Sequence, residues 1–184
     1  SVQAFQVRTA RELDFFLGYV SDPVVQEFLA GPEFTIDLLC GFDGVPRAIV
    51  PRERCVVRAG VSDRGRTVDD PALVALARDC AAALDFAGAV NIQCRVVDGT
   101  PTVFEINPRF SGGISLTIAS GADFPKMLVD LALDRDVGPE LAAFRADLWI
   151  TNNEEAIYLD RRGGLASPNG HRASGAPADG QVVS

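Results

Sequence analysis

Apolar residues along this chain change their spacing from helical to alternating and back, and the changes divide it into elements. In TARELDFFLGYV, Leu13, Phe16, Leu17 and Val20 fall on one side of a helix that Thr9 and Glu12 open at capping-box spacing. After Asp22-Pro23 the runs VVQEFLAGPEFTIDLLCGF and VPRAIV are rich in branched and aromatic residues. They break at Ala30-Gly31-Pro32 and at the hairpin signal Asp43-Gly44, and predict antiparallel strands. Pro51 to Asp69 reads as a pliable basic loop holding Arg52, Arg54, Arg58, Arg64 and Arg66 with Gly60 and Gly65. DDPALVALARDCAAALDF predicts a helix, with Asp70 as N-cap, Pro71 at the first helical position and Leu73, Leu76, Ala77, Cys80 and Leu84 along one side.

AVNIQCRVV and PTVFEIN then predict a hairpin across Asp98-Gly99-Thr100, and FPKMLVDLAL a last helix behind Asp123. RADLWITNN and EEAIYLD could add a terminal hairpin. The fold class expected is α+β, an antiparallel sheet flanked by helices. Residues 1–160 are expected to form the domain, and 161–184 a flexible tail too poor in apolar residues to order itself. The single His171 lies in that tail and receives no role.

The hairpin carries the chemistry. On an extended chain Phe104 and Ile106 point to one side, Glu105 and Asn107 to the other. Asn91, Gln93 and Arg95 share a face of the partner strand. A two-residue turn would set Gln93 beside Phe104; a three-residue loop would set it across from Glu105. Pro101 fits a strand's first position and favours the longer loop. Gln93, Glu105 and Asn107 then form an all-oxygen cluster suited to a hard cation such as Mg²⁺, or Mn²⁺, with Arg109 placed to meet a phosphate. The plain alternative is that Glu105 only pairs with Arg109 or Arg95 on a wet sheet face.

With 184 residues, 47% hydrophobic, the chain suffices for one domain with a sizeable core. A net charge of −8 argues against nucleic acid or an anionic membrane as the main partner. Cys40, Cys55, Cys80 and Cys94 are scattered without a CxxC pair, as expected of reduced thiols in a cytoplasmic protein. No apolar run reaches the length of a membrane span, and the N-terminus lacks the build of a signal peptide. The chain opens in mid-pattern without Met and is expected to be a piece of something longer.

NIQCRVVDGTPTVFEINPRFSGG resembles the metal and triphosphate strands of the ATP-grasp superfamily, in particular carboxylate-amine ligases related to the large subunit of carbamoyl phosphate synthetase. VVQEFLAGPEFTIDLL resembles that family's adenine hinge and the strand after it. The resemblance implies ATP and Mg²⁺ as cofactors, with Gln93, Glu105 and Asn107 at the metal. It implies adenine contacts from the backbone of Glu27 and Leu29, and Glu33 at the ribose. Arg109, and Arg58 on a mobile loop, would lie near the transferred phosphate. It also implies small-molecule carboxylate and amine substrates, an acyl phosphate intermediate, and a missing N-terminal half that would leave this piece inactive alone. The competing expectation is a non-catalytic nucleotide-binding or regulatory module.

Overall fold

The structure is a computed structural model describing residues 4–58, 61–135, 137–138 and 141–151, with the side chains of 56–63 outside that description. The expected tail 161–184, His171, the strand EEAIYLD and the Arg58 side chain all lie outside the described residues. The described residues belong to one compact unit, Ser1–Thr151.

The elements run α1 (Ala10–Tyr19), β1 (Glu33–Cys40), β2 (Pro46–Arg58), β3 (Val61–Thr67), α2 (Pro71–Leu84), β4 (Gly88–Val97), β5 (Thr100–Asn107), α3 (Ile114–Ala119), α4 (Phe124–Ala132) and β6 (Trp149–Thr151). The strands form one antiparallel sheet in the order β5-β4-β1-β2-β3-β6. The fold is α+β, as the spacing predicts. The caps act as read: Thr9 accepts from the Glu12 amide, Asp70 from that of Ala72 and Asp123 from that of Lys126. No helix among the described residues is long and apolar enough to cross a membrane.

Three expectations are corrected. VVQEFLA does not join the sheet, and Val24, Val25 and Phe28 stay exposed. Instead of a ladder, the Arg95 side chain donates to the Leu29 and Gly31 carbonyls, both at 3.3 Å. The basic stretch is a hairpin, the second half of β2 with β3. Pro51 fails to end β2 because its carbonyl accepts from Val68 at 2.9 Å; its nitrogen faces that same side, so no bond to β1 is lost. A short α3 also forms between β5 and α4, where no helix is predicted.

Alternation along β1 sorts the two faces. Phe34, Ile36 and Leu38 join Ile49, Ile92 and Cys94 in a core under Leu73, Ala77 and Ala81 of α2. On the opposite face Leu39, Ala48 and Val50 pack with Ala122 and Phe124 at one end only. The rest of that face is polar.

Candidate functional site

The β4–β5 hairpin turns through Asp98 and Gly99, both at positive φ (49° and 79°), with Val97 opposite Thr100. That is the two-residue turn, not the expected three-residue loop. Gln93 nevertheless lies opposite Glu105, because a bulge between Gln93 and Cys94 makes Phe104 an extra residue in β5. The bulge has a visible reason. The tight turn already sets Val103 opposite Cys94, and the extra residue brings Ile106 opposite Ile92, so that both side chains pack against the core. Val103 and Ile106, not Phe104, are the β5 side chains packed against that core.

Register then lays polar residues in three rows across the face. Glu33 pairs with Arg95; Thr35 pairs with Gln93 and Arg52, and Gln93 with Glu105; Asp37 pairs with Asn91, and Asn91 with Asn107. Two of these rows hold ionic clusters. At the covered end Asp37 takes Arg52 Nε at 2.8 Å and Nη2 at 3.3 Å, the Asn91 amide at 3.3 Å, and the Thr117 hydroxyl. Arg52 Nη2 also donates to Ser111 Oγ at 2.7 Å, which fastens the segment after β5 to the sheet. All five residues are buried.

At the open end Glu33 is held from both sides, by Arg54 Nη1 at 2.5 Å and Arg95 Nη2 at 2.7 Å. Arg54 Nη1 also lies 3.2 Å from Gln93 Oε1, while Gln93 Nε2 donates to Asn91 Oδ1 at 3.4 Å. Glu105 differs. Its partner is the Asn107 amide, at 2.7 Å, and no ammonium or guanidinium among the described residues pairs with it. Arg95 is spent on Glu33, and Arg109 donates to the Phe110 carbonyl at 2.9 Å, so the plain alternative of an ion pair at Glu105 is not what forms.

Residues 20–156 match the profile of a family described as "ATP-grasp in the biosynthetic pathway with Ter operon". The chain belongs to this ATP-grasp family. No curated protein matches it significantly. Among solved structures, L-amino acid ligase from Bacillus licheniformis aligns with a TM-score of 0.53 and 21% identity, over 69% of this chain and 36% of that one. A complete multifunctional pyruvate carboxylase from Rhizobium etli aligns with a TM-score of 0.52 and 17% identity, over 64% and 13%. At these identities the likeness is one of fold. This ATP-grasp chain spans about a third of the first protein and about an eighth of the second.

Of the residues expected from the ATP-grasp resemblance, the fold gathers Gln93, Glu105, Asn107 and Glu33 on one face of the sheet. Arg109 is exposed just beyond β5, and Arg58 is the last residue of β2. Glu27 is exposed and Leu29 half-buried in the unpaired segment before β1. A cavity of about 610 Å³ opens there between α1 and that segment, walled by Phe5, Phe16, Val20 and Phe28; Glu27 lines it, Leu29 and Glu33 do not. Sequence reasoning missed Asp37, Arg52, Arg54, Ser111 and Thr117. The signal was present: Glu33, Thr35 and Asp37 alternate with Phe34, Ile36 and Leu38 just as Glu105 and Asn107 alternate with Ile106.

Proposed function

We propose that the open end of this face receives the triphosphate of ATP with a divalent cation, and that the protein takes part in an ATP-dependent ligation of the carboxylate-amine type. One observation carries the reading: Glu105 is the carboxylate of the face that pairs with no cationic side chain among the described residues, and it stands among the amides of Gln93 and Asn107. An all-oxygen set of one carboxylate and two amides fits Mg²⁺ or Mn²⁺. When bound, such an ion would offset charge on the β- and γ-phosphates.

The chain's own residues have the remaining tasks. Each Glu33 oxygen has one arginine and keeps a lone pair, so the clamped carboxylate can still accept ribose hydroxyls. The backbone of Glu27 and Leu29 would meet the adenine edge. Arg109, exposed and held by one carbonyl, can turn to the γ-phosphate, and Arg58, the last residue of β2, is the second arginine expected at that phosphate. The substrate carboxylate oxygen attacks the γ-phosphorus, ADP leaves, and the acyl phosphate forms. The amine nitrogen then attacks the acyl carbon, loses its proton, and phosphate leaves. The sheet offers donors on one side of the phosphates, so a second segment facing it is part of the proposal, and the 184-residue chain alone is expected to bind ATP weakly.

The test is phosphate release by the protein as its host makes it, with Mg-ATP and a panel of carboxylates and amines. Glu105→Gln is expected to lower turnover roughly a hundredfold or more with the fold intact. Turnover within a few fold of the parent would sink the assignment. Tight Mg-ATP binding without turnover on any acceptor pair would favour a regulatory nucleotide-binding module.

A further inference from the structure

Arg54 occupies the middle of the open end, and nothing in the ligation reading uses it. Its side chain is 6% exposed, and one nitrogen, Nη1, lies within hydrogen-bond distance of both Glu33 Oε1 and Gln93 Oε1. Those are the oxygen of the ribose acid and the oxygen of the amide opposite Glu105. The Gln93 amide is oriented by this contact, carbonyl towards Arg54 and nitrogen towards Asn91. A full positive charge therefore sits on an oxygen that a divalent cation would need. A guanidinium and a divalent ion on one carbonyl oxygen repel, and in a half-buried site that repulsion is only partly screened.

We propose that Arg54 is a resident cation of the site: it holds Gln93 Oε1 and Glu33 Oε1 while the site is empty and must release Gln93 before a divalent ion can use it. Arg54 thereby lowers affinity for the ion alone. It also links the ion to the nucleotide. Glu33 and Gln93 share one donor, so an ATP ribose that draws on Glu33 changes the hold on Gln93, and metal and nucleotide are favoured together over metal by itself. Arg54 is a positioning residue here, acting through Gln93 and Glu33. This inference rests on the reading of Gln93 and Glu105 as ion ligands.

The experiment is binding of Mn²⁺ alone to the 184-residue chain, followed by the electron paramagnetic resonance signal of free Mn²⁺. Arg54→Met, which keeps bulk and removes charge, is expected to bind Mn²⁺ roughly three- to tenfold more tightly than the parent. Arg54→Lys keeps the charge and is expected to stay within about twofold of the parent. A merely structural role predicts the reverse, looser binding in both. If Arg54→Met does not fold by circular dichroism, Arg54→Gln replaces it with the same expectation. Unchanged or weaker binding in the charge-removing variants overturns the proposal. Glu105→Gln separates the two readings. Loss of Mn²⁺ binding in that variant, with no tightening in Arg54→Met, leaves the ion site standing and removes Arg54's role. Mn²⁺ binding unaffected by Glu105→Gln, or no uptake by parent or variants, overturns both.

Discussion

Asp37 and Arg52 form an ion pair at 2.8 Å from which water is almost wholly excluded, their side chains being 2% and 4% exposed. Neither charge could stay buried alone. The pair is satisfied by Asn91, Ser111 and Thr117, so it ties β1, β2 and β4 to the segment that follows Asn107. Asp37→Asn keeps the shape and leaves the guanidinium without its counter-charge. It is expected to cost about 3–5 kcal/mol in urea unfolding, and a loss under ~1 kcal/mol would mean that water reaches Arg52 after all.

Gly113 is the partner of that arrangement. A Cβ there would stand 2.5 Å from Arg52 Nη1, and Arg52 cannot retreat while Asp37 and Ser111 hold it. Its φ of −104° suits any residue, so the obstacle is contact and not backbone. Gly113→Ala should cost about 1–3 kcal/mol, and pairing it with Arg52→Met should recover part of the loss. A double mutant whose losses simply add would show that the contact is not the cause.

On the ribose role proposed for Glu33, Glu33→Ala should raise the KM for ATP by roughly tenfold and change kcat far less, since such a contact would be equally present in ground and transition states. Steady-state kinetics against ATP decides it. A large fall in kcat at constant KM would place Glu33 in the chemistry.

Burial pushes the Cys94 thiol from 9.0 up to about 12, with smaller pushes from the nearby charges of Cys80, Asp70 and Glu33. The native state therefore keeps a proton that the unfolded chain releases above pH 9. The stability this contributes is complete below about pH 9 and falls as pH rises towards 12, by at most ~1.4 kcal/mol per pH unit. Urea melts at pH 8 and pH 10 should show the decline in the parent and a shallower one in Cys94→Ala. Equal slopes would mean that other groups carry the pH dependence.

How much of this was readable beforehand depended on whether the information was local. Alternation placed Glu105 and Asn107 on one face, and Asp70-Pro71 and Asp123 marked their helices, because parity and capping involve a few neighbouring residues. The Gln93–Glu105 pair was anticipated through the wrong turn. Asp98-Gly99 forms the tight turn its residues favour, and the bulge answers to Val103 and Ile106, three residues apart and both packed against the core, a packing demand that local patterning does not display. From sequence Arg54 reads as one of five loop arginines, because Pro51 is a strand-ending signal; only the position of Val68 beside it shows that the proline is harmless. The Asp37 cluster needs four segments brought together, from β1 to Thr117, and no single stretch announces it.

The extra residue in β5 gives the hairpin one link of slack. With Phe104 removed, Val103 would still meet Cys94 and Glu105 would still meet Gln93, since the tight turn already sets the pairing on its own side. A length change at this point leaves the acid in place, whereas loss of Ile106 would swing Asn107 away from Glu105's side of the strand. Homologous hairpins can therefore differ by one residue between turn and acid and still present the same pair. Alignments of such chains should be anchored on Glu105 and Asn107, with the gap placed at Phe104 and not in the turn.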